Sequence, residues 1–210
     1  CGSHGGIHTG TDGSSAQSIE DLALYRTIPN ITVLHPSDDL SATELTQQLL
    51  DYDESSYTRT ARNKTPRIYT EKTVKSLQIG KGSILSEGDS VAIIAIGVMV
   101  HKALKAAENL RQEGINVTVI DMHTIKPIDT ELLDDLANNV QGIVTVEDHS
   151  IIGGLGSAVS EYLSENNPTR VVKIGVDDRF GESGGSEELL ELVGLTIESI
   201  ESAVRSIVEL

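Results

Sequence analysis

From Val91 onward, short runs of β-branched and aliphatic residues alternate with stretches in which apolar residues recur every three or four positions. Parallel βαβ units require that alternation, because neighbouring parallel strands can be joined only through a crossover, usually a helix that packs back on the sheet. The strands read as Val91 to Ala95, Val117 to Ile120, Ile143 to Val146 and Val171 to Ile174. The crossover helices read as Met99 to Gln112, Thr130 to Ala137 and Leu155 to Glu165, where Leu104, Ala107 and Leu110 show the spacing of one helix face. The longest apolar run, 91–100, is about half of the roughly 20 residues that span a bilayer, so it reads as a buried strand entering a helix. Two further helices close the chain, with Ser186 and Thr196 placed as N-caps ahead of carboxylates. The expected class is α/β, with parallel or mixed sheets covered by helices on both faces.

The first half is less complete. A Gly-, Ser-, Thr- and His-rich stretch, 1–15, shows no periodicity and no strand before it. A helix from Ala16 to Arg26, a strand from Ile31 to Leu34, a helix from Asp38 to Asp51 capped by Ser37, and a strand from Tyr57 to Ala61 then follow. Two strands and two helices are too few to cover a parallel sheet on both faces, so the preceding strands are expected to be absent, disordered or supplied by something else. Between the halves, Asn63 to Asp89 carries Pro66, Gly80, Gly82 and Gly88 and reads as a linker with one or two edge strands.

Charge sharpens the functional reading. The 210 residues carry 16 Lys and Arg against 32 Asp and Glu, a net charge of −16, which argues against a nucleic-acid-binding domain. Seven of the sixteen cations, Arg59, Arg62, Lys64, Arg67, Lys72, Lys75 and Lys81, fall in or beside the linker. Such a cluster reads either as a solvated linker whose cations meet acidic neighbours or as an anion site. Arg62, with a planar fork suited to phosphate, is its best candidate. Cys1 is the only cysteine, so no internal disulfide or thiolate cluster can form. With neither a secretory leader pattern nor a membrane-length run, a cytoplasmic location away from membranes is the default expectation.

The opening stretch is the most informative. Glycines at 2, 5, 6, 10 and 13 permit positive φ and close approach of backbone to a ligand, and His4, His8 and Asp12 bring hydrogen-bonding groups just before a helix. A zinc site is not expected, since nothing completes four ligands around the two histidines. Further on, Gly153-Gly154-Leu155-Gly156 between a strand and a helix reads as close packing, with phosphate binding the lesser alternative. Phe180, the only Phe, reads as a core or interface anchor.

Ser3-His4, Gly10-Thr11-Asp12-Gly13, Gln17, Glu20-Asp21-Leu22-Ala23-Leu24, Ile28-Pro29-Asn30 and Val33-Leu34-His35-Pro36 resemble the last third of the pyrimidine-binding domain of transketolase. Ala95-Ile96-Gly97, the run from Glu147 to Gly156 and the run from Asp178 to Gly184 resemble that family's C-terminal domain, so the likeness covers essentially the whole chain. It is closest to the separately encoded C-terminal section of split transketolases. The resemblance implies the end of a pyrimidine-binding domain at 1–65, a linker at 66–88 and a transketolase C-terminal domain at 89–210.

It also implies a function, namely a subunit of a thiamine-diphosphate-dependent transferase that moves a two-carbon ketol unit between sugar phosphates. His4 would contact substrate and assist proton transfer, Asp12 would accept a hydrogen bond from a sugar hydroxyl, and Arg62 would hold the terminal phosphate. The family usually carries Thr-His-Gln after the Gly-x-Asp-Gly loop, and the chain has Ser15-Ala16-Gln17, so Ala16 stands where a cofactor-contacting His is usual and no cofactor-binding residue is assigned. The Glu that activates the aminopyrimidine, and the aromatics stacked on it, lie upstream of the matched region in the family. Alone, the polypeptide is therefore expected not to activate the cofactor. Thiamine diphosphate and Mg²⁺ would be held mainly by a pyrophosphate-domain subunit in a homodimer or heterotetramer, with no metal ligand on this chain. The alternatives are a thiamine-diphosphate relative acting on pyruvate or other 2-oxo acids, such as a deoxyxylulose-phosphate synthase or a 2-oxo acid dehydrogenase beta subunit, and a noncatalytic assembly module. The resemblance places the C-terminal domain away from the cofactor, in subunit packing.

Overall fold

The computed structural model describes residues 1–209, which form seven α-helices and nine strands in two sheets. In chain order the elements are β1 (Gly2–Ser3), α1 (Asp21–Thr27), β2 (Ile31–Leu34), α2 (Asp39–Leu49), β3 (Ser55–Thr60), β4 (Ser83–Ser86), β5 (Val91–Ala95), α3 (Val100–Gln112), β6 (Val117–Asp121), β7 (Thr124–Lys126), α4 (Thr130–Asn139), β8 (Ile143–Ser150), α5 (Leu155–Asn166), β9 (Val171–Val176), α6 (Ser186–Leu192) and α7 (Ile197–Val208). No helix among the described residues is long and apolar enough to cross a membrane.

The larger sheet has the order β4-β6-β5-β8-β9, parallel except for β4, which runs antiparallel to β6 at the edge. Strand β5 lies at its centre, and all five of its residues are buried, which explains an uninterrupted aliphatic run. Its side chains alternate between faces with the period of two that a pleated strand imposes. Val91, Ile93 and Ala95 join a core with α3, α6 and α7, whereas Ala92 and Ile94 join one with α4 and α5. The second core also takes in Leu22 of α1, Val33 of β2 and Tyr57 of β3, so apolar packing is continuous from one sheet to the other.

The smaller sheet has the order β1-β3-β2-β7. Its first three strands are parallel, and β7, from the later half of the chain, closes it antiparallel to β2. The opening stretch thus does contain a strand, the two-residue β1, which sequence periodicity cannot register. The helix anticipated from Ala16 begins instead at Asp21, because Ser18 forms an isolated bridge with Gly5 and Gln17 binds the backbone of two loops. The cap of α2 is Asp38, whose carboxylate accepts from Ser41 N at 2.8 Å. Ser37, the anticipated cap, donates to the buried Asp121 at 2.6 Å.

Linker and core are stitched together by that same carboxylate pair. Asp38 Oδ2 accepts from the Ile68 and Tyr69 amides, and the Tyr69 hydroxyl donates to Asp121 Oδ2 at 2.8 Å. Most of the basic cluster is ion-paired: Arg67 with Asp39, Lys75 with Glu44, and Lys81 with Asp129 and Glu131, while Arg59 is 1% exposed. The solvated-linker reading holds for Arg67, Lys75 and Lys81, and the positive charge does not converge on one anion site.

Candidate active site

The Gly-rich stretch leaves β1 and turns sharply. His4 sits at φ 69°, a conformation that costs a non-Gly residue free energy and persists only where surrounding bonds impose it. Those bonds are present: the His4 amide donates to Thr60 O at 3.1 Å, and its carbonyl accepts from Thr9 Oγ1 at 2.5 Å. The His4 ring is exposed, with Nδ1 2.8 Å from Ser3 Oγ, which leaves Nε2 as the ring nitrogen available to a ligand. Residues Ile7–Asp12 then form a 3₁₀ turn kinked at Gly10 (φ 74°, ψ −117°) and deliver Asp12 to the surface. The kink requires glycine, since a Cβ there would lie 2.5 Å from Ser186 Oγ.

Two residues beyond β3, Arg62 meets this loop. Its Nε lies 2.5 Å from Asp12 Oδ2, with the side chains 36% and 31% exposed. Fifty residues apart in sequence, the expected hydroxyl acceptor and the expected phosphate ligand are paired with each other. The third expected residue, His4, is anchored to Thr60 at the end of the same strand. A cavity of about 450 Å³ next to this strand end is lined by Asn63, Lys64 and Arg67 but by none of His4, Asp12 or Arg62.

What holds the loop is buried and comes from the later half. Asp148, at the end of β8, accepts from the Ile7 amide at 2.8 Å and the His8 amide at 3.0 Å, and its own carbonyl accepts from Arg59 Nη2 at 2.7 Å. Glu147 accepts from the Leu155 and Gly156 amides at 2.7 and 2.8 Å, so the N-terminus of α5 already faces a carboxylate and the lesser reading of this loop as a phosphate site falls away. His149 Nε2 accepts from the Ala23 amide at 3.3 Å while Nδ1 donates to Ser150 O at 2.8 Å. All three side chains of Glu147-Asp148-His149 are buried; Asp148 and His149 tie the halves together, while Glu147 holds α5 to β8 within the later half. The later half is thus packed against the loop that carries Asp12, not set apart from it.

His8 is buried, and burial lowers its pKa against the opposing pull of Asp148 and Glu187. Phe180 is 89% exposed, so of its two readings the core anchor fails. The supporting residues Asp148, Gln17 and Asn63 escaped sequence reasoning because their partners lie 55 to 165 residues away. The only available signal was the carboxylate-rich end of the strand that carries Glu147.

Among the described residues, no group of three or more His, Cys, Asp or Glu side chains is disposed to hold a metal ion. Nor do these residues compose a cradle for an aminopyrimidine. The one stacked aromatic pair, Tyr25 and Tyr57 with centroids 3.7 Å apart, is committed internally, since the Tyr57 hydroxyl donates to Asp21 at 2.7 Å. Ala16, where the family His is usual, offers only a methyl group. His4, Asp12 and Arg62 offer hydrogen-bonding and charged groups to a polar ligand, and the described residues around them supply no cradle for the cofactor.

Fold and site together define an α/β protein of two joined sheets that presents a paired carboxylate and guanidinium beside a Gly-rich loop. The family model described as transketolase, pyrimidine binding domain, matches residues 1–67, and that of the transketolase C-terminal domain matches residues 80–200. The chain belongs to the transketolase family. A transketolase C-terminal section from Methanocaldococcus jannaschii is 42% identical over 94% of this chain and 62% of its own length. A 6-deoxy-6-sulfo-D-fructose transketolase subunit from Clostridium is 40% identical over 99% of this chain and 64% of its own. Human transketolase is 37% identical, with 33% of its length covered. The chain thus spans less than two thirds of the relatives it matches. A split gene transketolase, described as an inactive beta4 tetramer, superposes with a TM-score of 0.91 at 42% identity, covering 99% of this chain and 66% of that one.

Proposed function

We propose that this chain supplies the substrate-recognition half of a split-type transketolase, which transfers a two-carbon ketol unit between sugar phosphates together with a pyrophosphate-domain subunit. Thiamine diphosphate and its Mg²⁺ are held in that assembly largely outside the residues of this chain. The observation that carries the reading is the Asp12–Arg62 pair beside a His held in strained backbone. A carboxylate that accepts from hydroxyls, a guanidinium that donates to phosphate and an imidazole on the same Gly-rich stretch suit a polyol phosphate. Asp12 and Arg62 neutralise each other until a phosphorylated sugar takes over both. His4 presents Nε2 where a sugar hydroxyl can exchange a proton.

The test is Arg62→Ala in the enzyme reconstituted with its partner. A charge-assisted contact of about 1.5–3 kcal/mol predicts that KM for a phosphorylated donor rises roughly 10- to 100-fold, with little change for an unphosphorylated one. Equal losses on both donors would refute a phosphate role, and pyruvate decarboxylation without ketol transfer would refute the reaction. The Clostridium relative, named for a sulfonated sugar, supports including a sulfonate donor in the comparison. Arg62 can serve either terminal anion, so a preference for the sulfonate would redefine the substrate without moving the site.

A further inference from the structure

Exposed ion pairs are ordinarily loose, because two long side chains give up rotamer freedom for a weak attraction in water. The pair proposed above to receive the substrate is one third exposed on each side, so something else must hold it. We infer that Asn63 is the positioning residue of this site, fixing Arg62 against Asp12 by fastening the strand end, the Gly-rich loop and the start of α6 to one another. The inference rests on the proposed sugar-phosphate reading for its kinetic consequence, but not for its geometry.

All polar atoms of the Asn63 side chain are engaged. Its Oδ1 accepts from Arg62 Nη1 at 3.2 Å. Its Nδ2 donates one hydrogen to the carbonyl of His8 at 2.9 Å and the other to Ser186 Oγ at 2.8 Å. The first bond orients the guanidinium. The second holds the 3₁₀ turn that ends in Asp12, and the third fixes both to the first residue of α6. Gln17 does the same at the far end of the loop, donating to Gly10 O at 3.3 Å and to Glu182 O at 2.8 Å. Between these two amides the loop backbone approaches Ser183 and Ser186 so closely that a Cβ on Gly13 or Gly10 would lie 2.6 or 2.5 Å from their hydroxyl oxygens. The stretch 182–186 is therefore a rigid backing for Asp12, and Asn63 transmits its position to Arg62. A displacement of about 1 Å at a substrate clamp can cost roughly 100-fold in rate, so a side chain that never touches substrate can control the site.

Asn63→Asp tests this with almost no change in shape. The carboxylate cannot donate to His8 O or Ser186 Oγ, and it competes with Asp12 for Arg62. Two measurements apply, on the full chain and on the enzyme reconstituted with its partner. The first is the NMR signal of the Arg62 Nε–H, whose hydrogen exchange reports the pair with Asp12 in the full chain without any catalysis. The second is KM against kcat for a phosphorylated and an unphosphorylated donor. Positioning predicts at least fivefold faster exchange at Arg62, about a tenfold higher KM for the phosphorylated donor, and kcat within twofold. Unchanged exchange at Arg62 would overturn it, as would KM values raised equally for both donors in an enzyme whose Arg62→Ala variant does discriminate between them. Ser186→Ala, which deletes a single acceptor, carries the same test should Asn63→Asp fail to fold, with a smaller shift in the same direction. If Arg62→Ala shows no selectivity for phosphate while Asn63→Asp still loosens Arg62, the substrate reading fails and the positioning role stands.

Discussion

Glu147 offers the sharpest test of how the strand end beside the site is anchored to α5. Its carboxylate is fully buried and accepts two backbone bonds, at 2.7 and 2.8 Å, from the first turn of α5. Glu147→Gln keeps the shape, retains one acceptor and turns an NH₂ toward an amide that then has no partner. A lost bond to a charged group is worth about 1.5–3 kcal/mol, and the favourable field of the helix N-terminus adds roughly 0.5–2 kcal/mol. Against this, the neutral amide escapes the cost of keeping a charge away from water, which can reach several kcal/mol. One feature favours the bonds: both carboxylate oxygens are already aligned with the two amides. The net expectation is a loss of about 3 kcal/mol, which in a chain of this size lowers Tm by roughly 6–12 °C. Urea unfolding of the full chain followed by circular dichroism measures it. A glutamine variant as stable as the parent, or more so, would refute the reasoning, because it would show that burying the charge costs as much as its bonds return.

Two further substitutions probe the seams around the site. Burial pushes the Asp121 carboxyl up to about 7, against hydrogen bonds from Ser37 and Tyr69 that favour the charged form. The native state therefore keeps a proton that the unfolded chain releases near pH 4, so this contribution to stability is full below about pH 4 and declines by at most about 1.4 kcal/mol per pH unit up to 7. The stability of the parent relative to Asp121→Asn, from urea midpoints across that range, should fall as pH rises and level off above 7; a difference constant from pH 4 to 8 would contradict the shift. Gly97 sits at φ 58°, and a Cβ there would lie 1.9 Å from the buried His35 Nε2. Gly97→Ala should cost at least about 2 kcal/mol from backbone strain and the displaced imidazole together, and a urea midpoint within about 0.5 kcal/mol of the parent would rule that contact out.

Much of the larger sheet is legible in the sequence because its three inner strands are buried on both faces and its helices carry apolar stripes. Val91 to Ala95 and the helix after it announce themselves through hydrophobic period alone. The smaller sheet is not legible in that way. Gly2–Ser3 is too short to show a period, and Thr124–Lys126 belongs by sequence to the later half while pairing with β2. The site is legible only in part. His4, Asp12 and Arg62 stand out by residue type and by likeness to a family, whereas Asn63 and Gln17 are ordinary amides until the fold gives each its partners.

The sequence by itself determined the α/β class and the family and singled out the three side chains proposed to recognise a sugar phosphate, because burial period and residue chemistry are local properties. Only the tertiary structure decided that most of the linker cations are occupied by carboxylates and that Glu147-Asp148-His149 supports the fold. It alone placed the later half of the chain behind the loop that carries Asp12. Those outcomes depend on which charges and backbone amides meet across gaps that run from eight residues to more than a hundred, and such meetings are set by how two sheets share one core.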